Sequence, residues 1–154
     1  MAQMLGFGQP FGGVMQTAFV VKDVRASIAH FQRDCGAGPF FLLDHFLGPD
    51  QFYRHAPSTA DVTIAMGFAG HMQIELIQPL DGHPSVYRET IEQRGYGFHH
   101  FGIACADVEA SLPDYLARGY ELAFKAAVPT GGSVAYLEGG AAAAPGFLEL
   151  IPAT

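Results

Sequence analysis

The sequence predicts an α+β fold made of two related halves, and three observations lead to that prediction. Nineteen glycines and ten prolines among 154 residues imply many turns, which favours strands over long helices. The segments that begin at Val14 and Phe98 share one pattern of a strand followed by a capped helix. Each half also closes on a short strand containing a glutamate, so each half is predicted to be a strand, a helix and several further strands.

The first half begins with a strand over Val14–Val21, in which alternation places Gln16 on the face opposite Phe19. A helix follows, because apolar residues recur at helical spacing after Asp23, which has the position of an N-cap. Gly36 is expected to end this helix.

The second half repeats this pattern at one constant offset. When Gln16 is aligned with His100, Asp23 falls on Asp107, and both aspartates begin the pattern Asp-Val-x-Ala-Ser-[Ile/Leu]-x-x-[Phe/Tyr]. Pro113 falls inside the second helix, at a cost of about 3 kcal/mol unless the helix is kinked or begins later.

The ends of the two halves match as well. Glu75 lies within Ile-Glu-Leu-Ile-Gln-Pro and Glu149 within Leu-Glu-Leu-Ile-Pro, so each glutamate faces away from its apolar neighbours. Middle strands are predicted over 61–68 and 132–137, a short helix over 84–94, and a turn over 139–144. The expected organisation is an N-terminal arm (1–13), a first module (14–80), a linker (81–96) and a second module (97–154).

His100 lies on a strand face whose other members, Gly102 and Ala104, are small, so open space is expected around its imidazole. A lone buried histidine usually just finds a hydrogen bond. The repeat, however, makes it one of four polar residues at matched positions: Gln16, Glu75, His100 and Glu149.

Buried carboxylates need a cation, a proton or full hydrogen bonding. Edge strands could instead expose Glu75 and Glu149 to water, and Lys125 or Arg54 could reach them. A divalent metal ion answers the problem directly, since two carboxylates, an imidazole and an amide oxygen suit Zn²⁺, Ni²⁺, Co²⁺ or Mn²⁺. We therefore expect a metal site formed by both glutamates with Gln16 and His100.

The first half carries extra aromatic sequence over 40–57. It is either an ordinary core strand with a loop, or the wall or lid of a pocket for an apolar ligand. Candidate substrate-binding residues are His45, Tyr53 and His55 in this segment and Tyr136 in the second half.

Composition excludes several classes of protein. The net charge is -7 and the eight basic residues are scattered, which argues against nucleic acid and anionic membranes as partners. No run is apolar enough to span a bilayer, and the first residues lack the features of a signal peptide. A cytoplasmic protein with two free thiols, Cys35 and Cys105, is expected.

These motifs resemble the vicinal oxygen chelate superfamily, which comprises glyoxalase I, bleomycin-resistance proteins and ring-cleaving dioxygenases. The resemblance covers residues 14–151 and implies two βαβββ modules that form a cupped mixed sheet around a central cleft. The run that starts at Ile74, followed by Gly-x-Gly-Phe-His-His-Phe from Gly95, looks most like methylmalonyl-CoA epimerases. That likeness implies that His100 is a ligand and that His99 is structural, facing the core side or the neighbouring strand.

Two positions depart from the epimerase pattern. Gln16 stands where epimerases usually have histidine, and the order glutamine, glutamate, histidine, glutamate resembles animal-type glyoxalase I instead. The His-Asn-Trp-Gly segment of those glyoxalases is absent here. The second catalytic glutamate of epimerases is also missing, because its region offers His45, His55 and Asp61.

The resemblance implies a metal-dependent isomerase, epimerase or lyase that moves a proton next to a carbonyl of a small organic substrate. Glu149 would be the base, and Glu75, His45 or His55 would return the proton. The resemblance also implies a homodimer. The alternative is a non-catalytic protein of the bleomycin-resistance type that binds a drug or aromatic ligand.

Overall fold

The computed structural model describes residues 11–46, 50–128, 131–139 and 146–152. The predicted turn over 139–144 begins at Gly139, which instead ends strand β9, while its other residues and most of the N-terminal arm lie outside the described residues. The elements are, in chain order, β1 (Val14–Val20), α1 (Val24–Cys35), β2 (Phe41–Phe46), β3 (Phe52–Tyr53), β4 (Ala56–Pro57), β5 (Val62–Ala69), β6 (Met72–Pro79), α2 (Val86–Arg94), β7 (Gly97–Cys105), α3 (Val108–Ala117), β8 (Tyr120–Ala127), β9 (Ser133–Gly139) and β10 (Phe147–Pro152).

The strands form one mixed sheet in the order β2-β5-β6-β1-β7-β10-β9-β8-β3-β4. The two first strands, β1 and β7, pair antiparallel at the centre. Each first strand also pairs in parallel with the last strand of its own half, β6 or β10. The predicted α+β class with two βαβββ modules is thereby confirmed.

Both repeated helices are capped as the sequence predicts. The Ala26 amide donates to Asp23 Oδ1 at 3.1 Å, and the Ala110 amide donates to Asp107 Oδ1 at 3.2 Å. Helix α3 therefore begins directly after Asp107 and holds Pro113 in its interior. The proline removes one helical hydrogen bond without moving the start of the helix.

The two faces of the sheet are covered differently. Helix α1 packs against apolar side chains such as Leu76, and α3 packs against those such as Leu150. The opposite, concave face carries a separate apolar cluster, which α2 joins through Val86 and Tyr87. The concave face is the one that holds the matched polar residues.

The extra aromatic segment over 40–57, called the insertion below, crosses from one half of the chain to the other. Strand β2 pairs with β5 at one edge of the sheet, whereas β3 pairs with β8 of the second half. Arg54, in the turn of the β3–β4 hairpin, bonds Glu89 of α2 at 2.7 Å and Glu138 of β9 at 2.9 Å. The insertion thus links the two ends of the cup.

None of the helices in the described ranges is both long and apolar enough to cross a bilayer.

Candidate metal centre and its cavity

The pairing of β1 with β7 brings the four predicted polar residues together. Gln16 lies opposite Gly102, and Ala18 lies opposite His100. Glu75 pairs with Ala18, and Glu149 pairs with Gly102. Because Gln16 and His100 occupy matched positions of the two halves, the four side chains are related by the pseudo-twofold arrangement of the repeat.

Four candidate ligand atoms converge on one point of the concave face. The distance from His100 Nε2 is 2.8 Å to Gln16 Oε1, 3.2 Å to Glu149 Oε1 and 3.5 Å to Glu75 Oε1. Ligands placed about 2.1 Å from a metal ion and at right angles are about 3.0 Å apart, so this spacing fits a shared cation. All four residues are buried.

The chemistry of these atoms also fits a metal ion. Glu75 Oε1 is fully buried and has no hydrogen-bond donor among the described residues. Gln16 turns its amide nitrogen away from the cluster, donating to Gln73 Oε1 at 2.7 Å. The oxygens that surround His100 Nε2 are therefore all hydrogen-bond acceptors. Acceptors this close repel one another unless a cation or a proton lies between them.

His99 lies behind His100, not on the opposite face of the strand. The pairing of β1 with β7 skips His99, which forms a β-bulge between the pairs Ala18/His100 and Phe19/Phe98. The two histidine rings therefore meet, with Nδ1 of one 2.7 Å from Nδ1 of the other. The resemblance implies that His99 faces the core side or the neighbouring strand, but the bulge turns its ring toward the same interior as that of His100.

The protons on this pair of rings follow from their partners. His99 Nε2 lies 3.1 Å from the Val86 carbonyl, which only accepts, so this nitrogen carries a proton. Burial, and next the neighbouring His100, lowers the pKa of His99 well below its usual range, so the ring is neutral and its Nδ1 accepts from His100 Nδ1. Burial lowers the pKa of His100 to about 3, which leaves Nε2 with a free lone pair facing the carboxylates.

The two carboxyl groups resist ionisation while no cation is bound. Burial, and next the charge of Glu149, raises the pKa of Glu75 well above its usual range. Burial raises the pKa of Glu149 to about 8, while the Tyr136 hydroxyl acts in the opposite direction. A proton on one of these groups is therefore what a divalent ion would displace.

The expected open space beside His100 is filled. A Cβ atom added at Gly102 would lie 2.7 Å from Ile151 Cδ1 and 2.8 Å from Gln16 Oε1. Glycine is needed here for space and not for backbone conformation. The small residue thus makes room for the Gln16 side chain and not for an open cavity.

A cavity of about 250 Å³ opens above the four residues on the concave face. Glu75, Glu149 and Gln16 lie in its wall, together with Tyr87 and Tyr136, whose hydroxyls are 3.1 Å apart. The rest of the wall is mainly apolar and includes Leu43 and Phe46 from the insertion.

Of the candidate substrate-binding residues, the structure brings only Tyr136 to this cavity. His45 is exposed on the other side of the sheet and bonds Asp61 at 2.7 Å. Tyr53 donates to Glu89 at 2.8 Å, and His55 lines a separate surface depression beside β8.

Sequence reasoning did not identify Tyr87, Gln73 or His99 as part of this site. Tyr87 comes from the linker helix, and no repeat marks its position. The doubled histidine is the visible signal for His99, but the resemblance assigns only the second histidine to the site.

Comparison with known proteins now adds to this geometry. The family model of the Glyoxalase/Bleomycin resistance protein/Dioxygenase superfamily matches residues 15–136. Methylmalonyl-CoA epimerase from Mycobacterium tuberculosis superposes with a TM-score of 0.65 at 19% identity, over 97% of this chain and 90% of that one. Hypothetical protein BH1468 from Bacillus halodurans C-125 superposes with a TM-score of 0.63 at 20% identity, over 90% of this chain and 91% of that one.

The Q60A variant of Streptomyces coelicolor methylmalonyl-CoA epimerase, in complex with 2-nitronate-propionyl-CoA, superposes with a TM-score of 0.61 at 16% identity. The superposition covers 91% of this chain and 96% of that one. A comparison with curated proteins found no match. At these identities the solved structures support the fold alone. The matched family model covers most of the chain, which therefore belongs to the Glyoxalase/Bleomycin resistance protein/Dioxygenase superfamily.

Proposed function

We propose that this protein is a metal-dependent isomerase or lyase that moves a proton next to a carbonyl group of a small organic substrate. The observation that carries the proposal is the convergence of Gln16, Glu75, His100 and Glu149 around one buried point in the wall of a cavity. The charges of the two carboxylates would balance those of one divalent ion. Four protein ligands would leave positions for a substrate with one or two oxygens.

A divalent ion held by these residues would supply Lewis-acid polarisation of a substrate carbonyl. Glu149 would take the proton from the adjacent carbon, while the electron pair of that C–H bond shifts toward the carbonyl oxygen. The apolar wall would exclude water from the reacting carbon.

The return of the proton is limited to groups that the cavity contains. His45 and His55 lie elsewhere, so Glu75 or Glu149 itself would deliver it, with the protonated hydroxyls of Tyr87 and Tyr136 nearby. Both carboxylates belong to one cluster. This arrangement supports proton transfer on one face of the substrate better than epimerisation by two opposed bases.

The test is proton exchange at the carbon next to a carbonyl. Metal-loaded protein is mixed with 2-hydroxyacetophenone in D₂O, and loss of the CH₂ signal is followed by proton NMR. We expect exchange at least about tenfold faster than in buffer, and a return to the buffer rate in Glu149→Gln. Equal exchange by wild type and Glu149→Gln would overturn the role of Glu149.

Metal analysis separates this proposal from its alternative, a ligand-binding protein without a metal. If wild-type protein retains no divalent ion but binds apolar ligands equally well in chelator, the protein is a binder and not this enzyme.

A further inference from the structure

Away from the two carboxylates, the wall of the cavity is mainly apolar and carries no charged side chain among the described residues. The side chains that form it come from both halves and from the insertion: Leu43, Phe46, Ile64, Met66, Phe124 and Val134. The polar members of the wall apart from the glutamates are glutamine and tyrosine side chains, which carry no charge near neutral pH. A ligand that fills this space would contact hydrocarbon over most of its surface.

No lysine or arginine lines the cavity, although all eight of these residues lie in the described ranges. Arg54 is held by Glu89 and Glu138, and Lys125 pairs with Glu109. Lys22 and Arg25 line a depression on the helix-covered side of the sheet. A carboxylate or phosphate inside the cavity would therefore lack a basic side chain to pair with.

The charges of the proposed centre lead to the same conclusion. Glu75 and Glu149 together carry two negative charges when ionised, which a divalent ion only neutralises. An additional anionic group in the apolar part of the cavity would lose its hydration without gaining a partner. The cavity therefore discriminates against ligands with a charged tail.

From this wall we infer that the part of the substrate that lies in the cavity is a neutral, mainly apolar carbonyl group, and that the substrate is not a dicarboxylate with its second carboxylate in the cavity. The inference rests on the proposed function for the position of the carbonyl and for the charge of the centre, whereas the uncharged lining of the remaining cavity wall is independent of it. It separates this chain from the epimerases of similar fold, for which complexes with methylmalonyl-CoA and 2-nitronate-propionyl-CoA are known.

The test uses two probes with the same metal-chelating group and different tails. Calorimetric titration of Ni²⁺-loaded protein compares 4-methylbenzohydroxamic acid with 4-carboxybenzohydroxamic acid. We expect the methyl probe to bind at least about tenfold more tightly, since burying an unpaired carboxylate is unfavourable. Equal or tighter binding of the carboxy probe overturns the inference, as does binding of neither probe to loaded protein.

A variant at the cavity mouth provides the matched control. Leu43 lies on the edge strand β2, is 42% exposed and lines the cavity, so Leu43→Arg is compatible with folding. The new guanidinium should improve binding of the carboxy probe several-fold and leave the methyl probe no better bound. An unchanged ratio between the probes in Leu43→Arg would show that the tails do not occupy this cavity.

A second pair of probes keeps the two proposals distinguishable. If the protein binds no metal ion, the proposed function fails, but 4′-methylacetophenone and 4-acetylbenzoate still compare a neutral with an anionic ketone. Saturation-transfer NMR should then show contact of the methyl ketone alone with the protein. Contact by both ketones, competing equally, overturns the inference about the substrate class.

Discussion

His99 and His100 are consecutive residues of one strand, and their Nδ1 atoms lie 2.7 Å apart. A β-bulge makes this possible, because it turns two neighbouring side chains toward the same interior. Through His99, the Val86 carbonyl determines which nitrogen of His100 is free to bind a metal ion. A backbone group of α2 thus positions the imidazole in the cluster.

Replacing His99 should weaken metal binding although His99 is not itself a ligand in the proposed site. His99→Phe keeps an aromatic ring but removes the acceptor for His100 Nδ1, and we expect metal affinity to fall about 10- to 100-fold. Competition with a fluorescent chelator measures the change. Thr90→Val is the matched control, because Thr90 also bonds the Val86 carbonyl, at 3.2 Å, and does not contact His100. Equal affinities of His99→Phe and wild type would contradict the positioning role.

Gly102→Ala should displace Gln16 from the cluster, since the new methyl group would overlap Gln16 Oε1. We expect a loss of metal affinity of about tenfold or more, measured by the same competition. Gly82→Ala is the control, because a Cβ atom there meets nothing within 4 Å. Should Gly102→Ala bind metal as well as Gly82→Ala does, Gln16 is not a ligand.

The metal-free protein should lose stability as the pH rises from about 5 to about 8. Burial raises the pKa of Glu149 to about 8, so over this range the folded protein keeps a proton that the unfolded chain has released. Thermal melts in chelator should therefore give a Tm roughly 5–10 °C lower at pH 8 than at pH 5. Glu149→Gln should reduce this difference. If the Tm of wild type rises from pH 5 to pH 8 while that of Glu149→Gln does not, the Glu149 carboxyl group is not protonated in the folded state.

Much of the fold and the four-residue cluster could be predicted because the repeat is strict. Gln16 and His100 occupy matched positions, and parallel pairing then places Glu75 and Glu149 beside them. Local periodicity was sufficient for Gln16 but not for Met15, because the register of β1 against β7 shifts between Val14 and Gln16, and Met15 and Gln16 both line the cavity.

Other features depend on contacts that sequence patterns do not reveal. The register of β2 shifts between Leu43 and Phe46, with His45 at a φ of 54°, so both apolar residues line the cavity while His45 turns away. The two-residue strand β3 has no periodicity, and its partner β8 lies in the other half of the chain. Such long-range pairing of very short strands leaves no local signal.

Metal content of the purified protein tests the central claim most directly. Wild type, His100→Ala and His45→Ala are each exposed to Zn²⁺, Ni²⁺, Co²⁺ or Mn²⁺, dialysed, and analysed by inductively coupled plasma mass spectrometry. We predict close to one divalent ion per chain in wild type and in His45→Ala, whose imidazole lies outside the cavity, and a large loss in His100→Ala. Wild-type protein that retains none of the four ions, or His100→Ala that retains as much as wild type, would contradict the account.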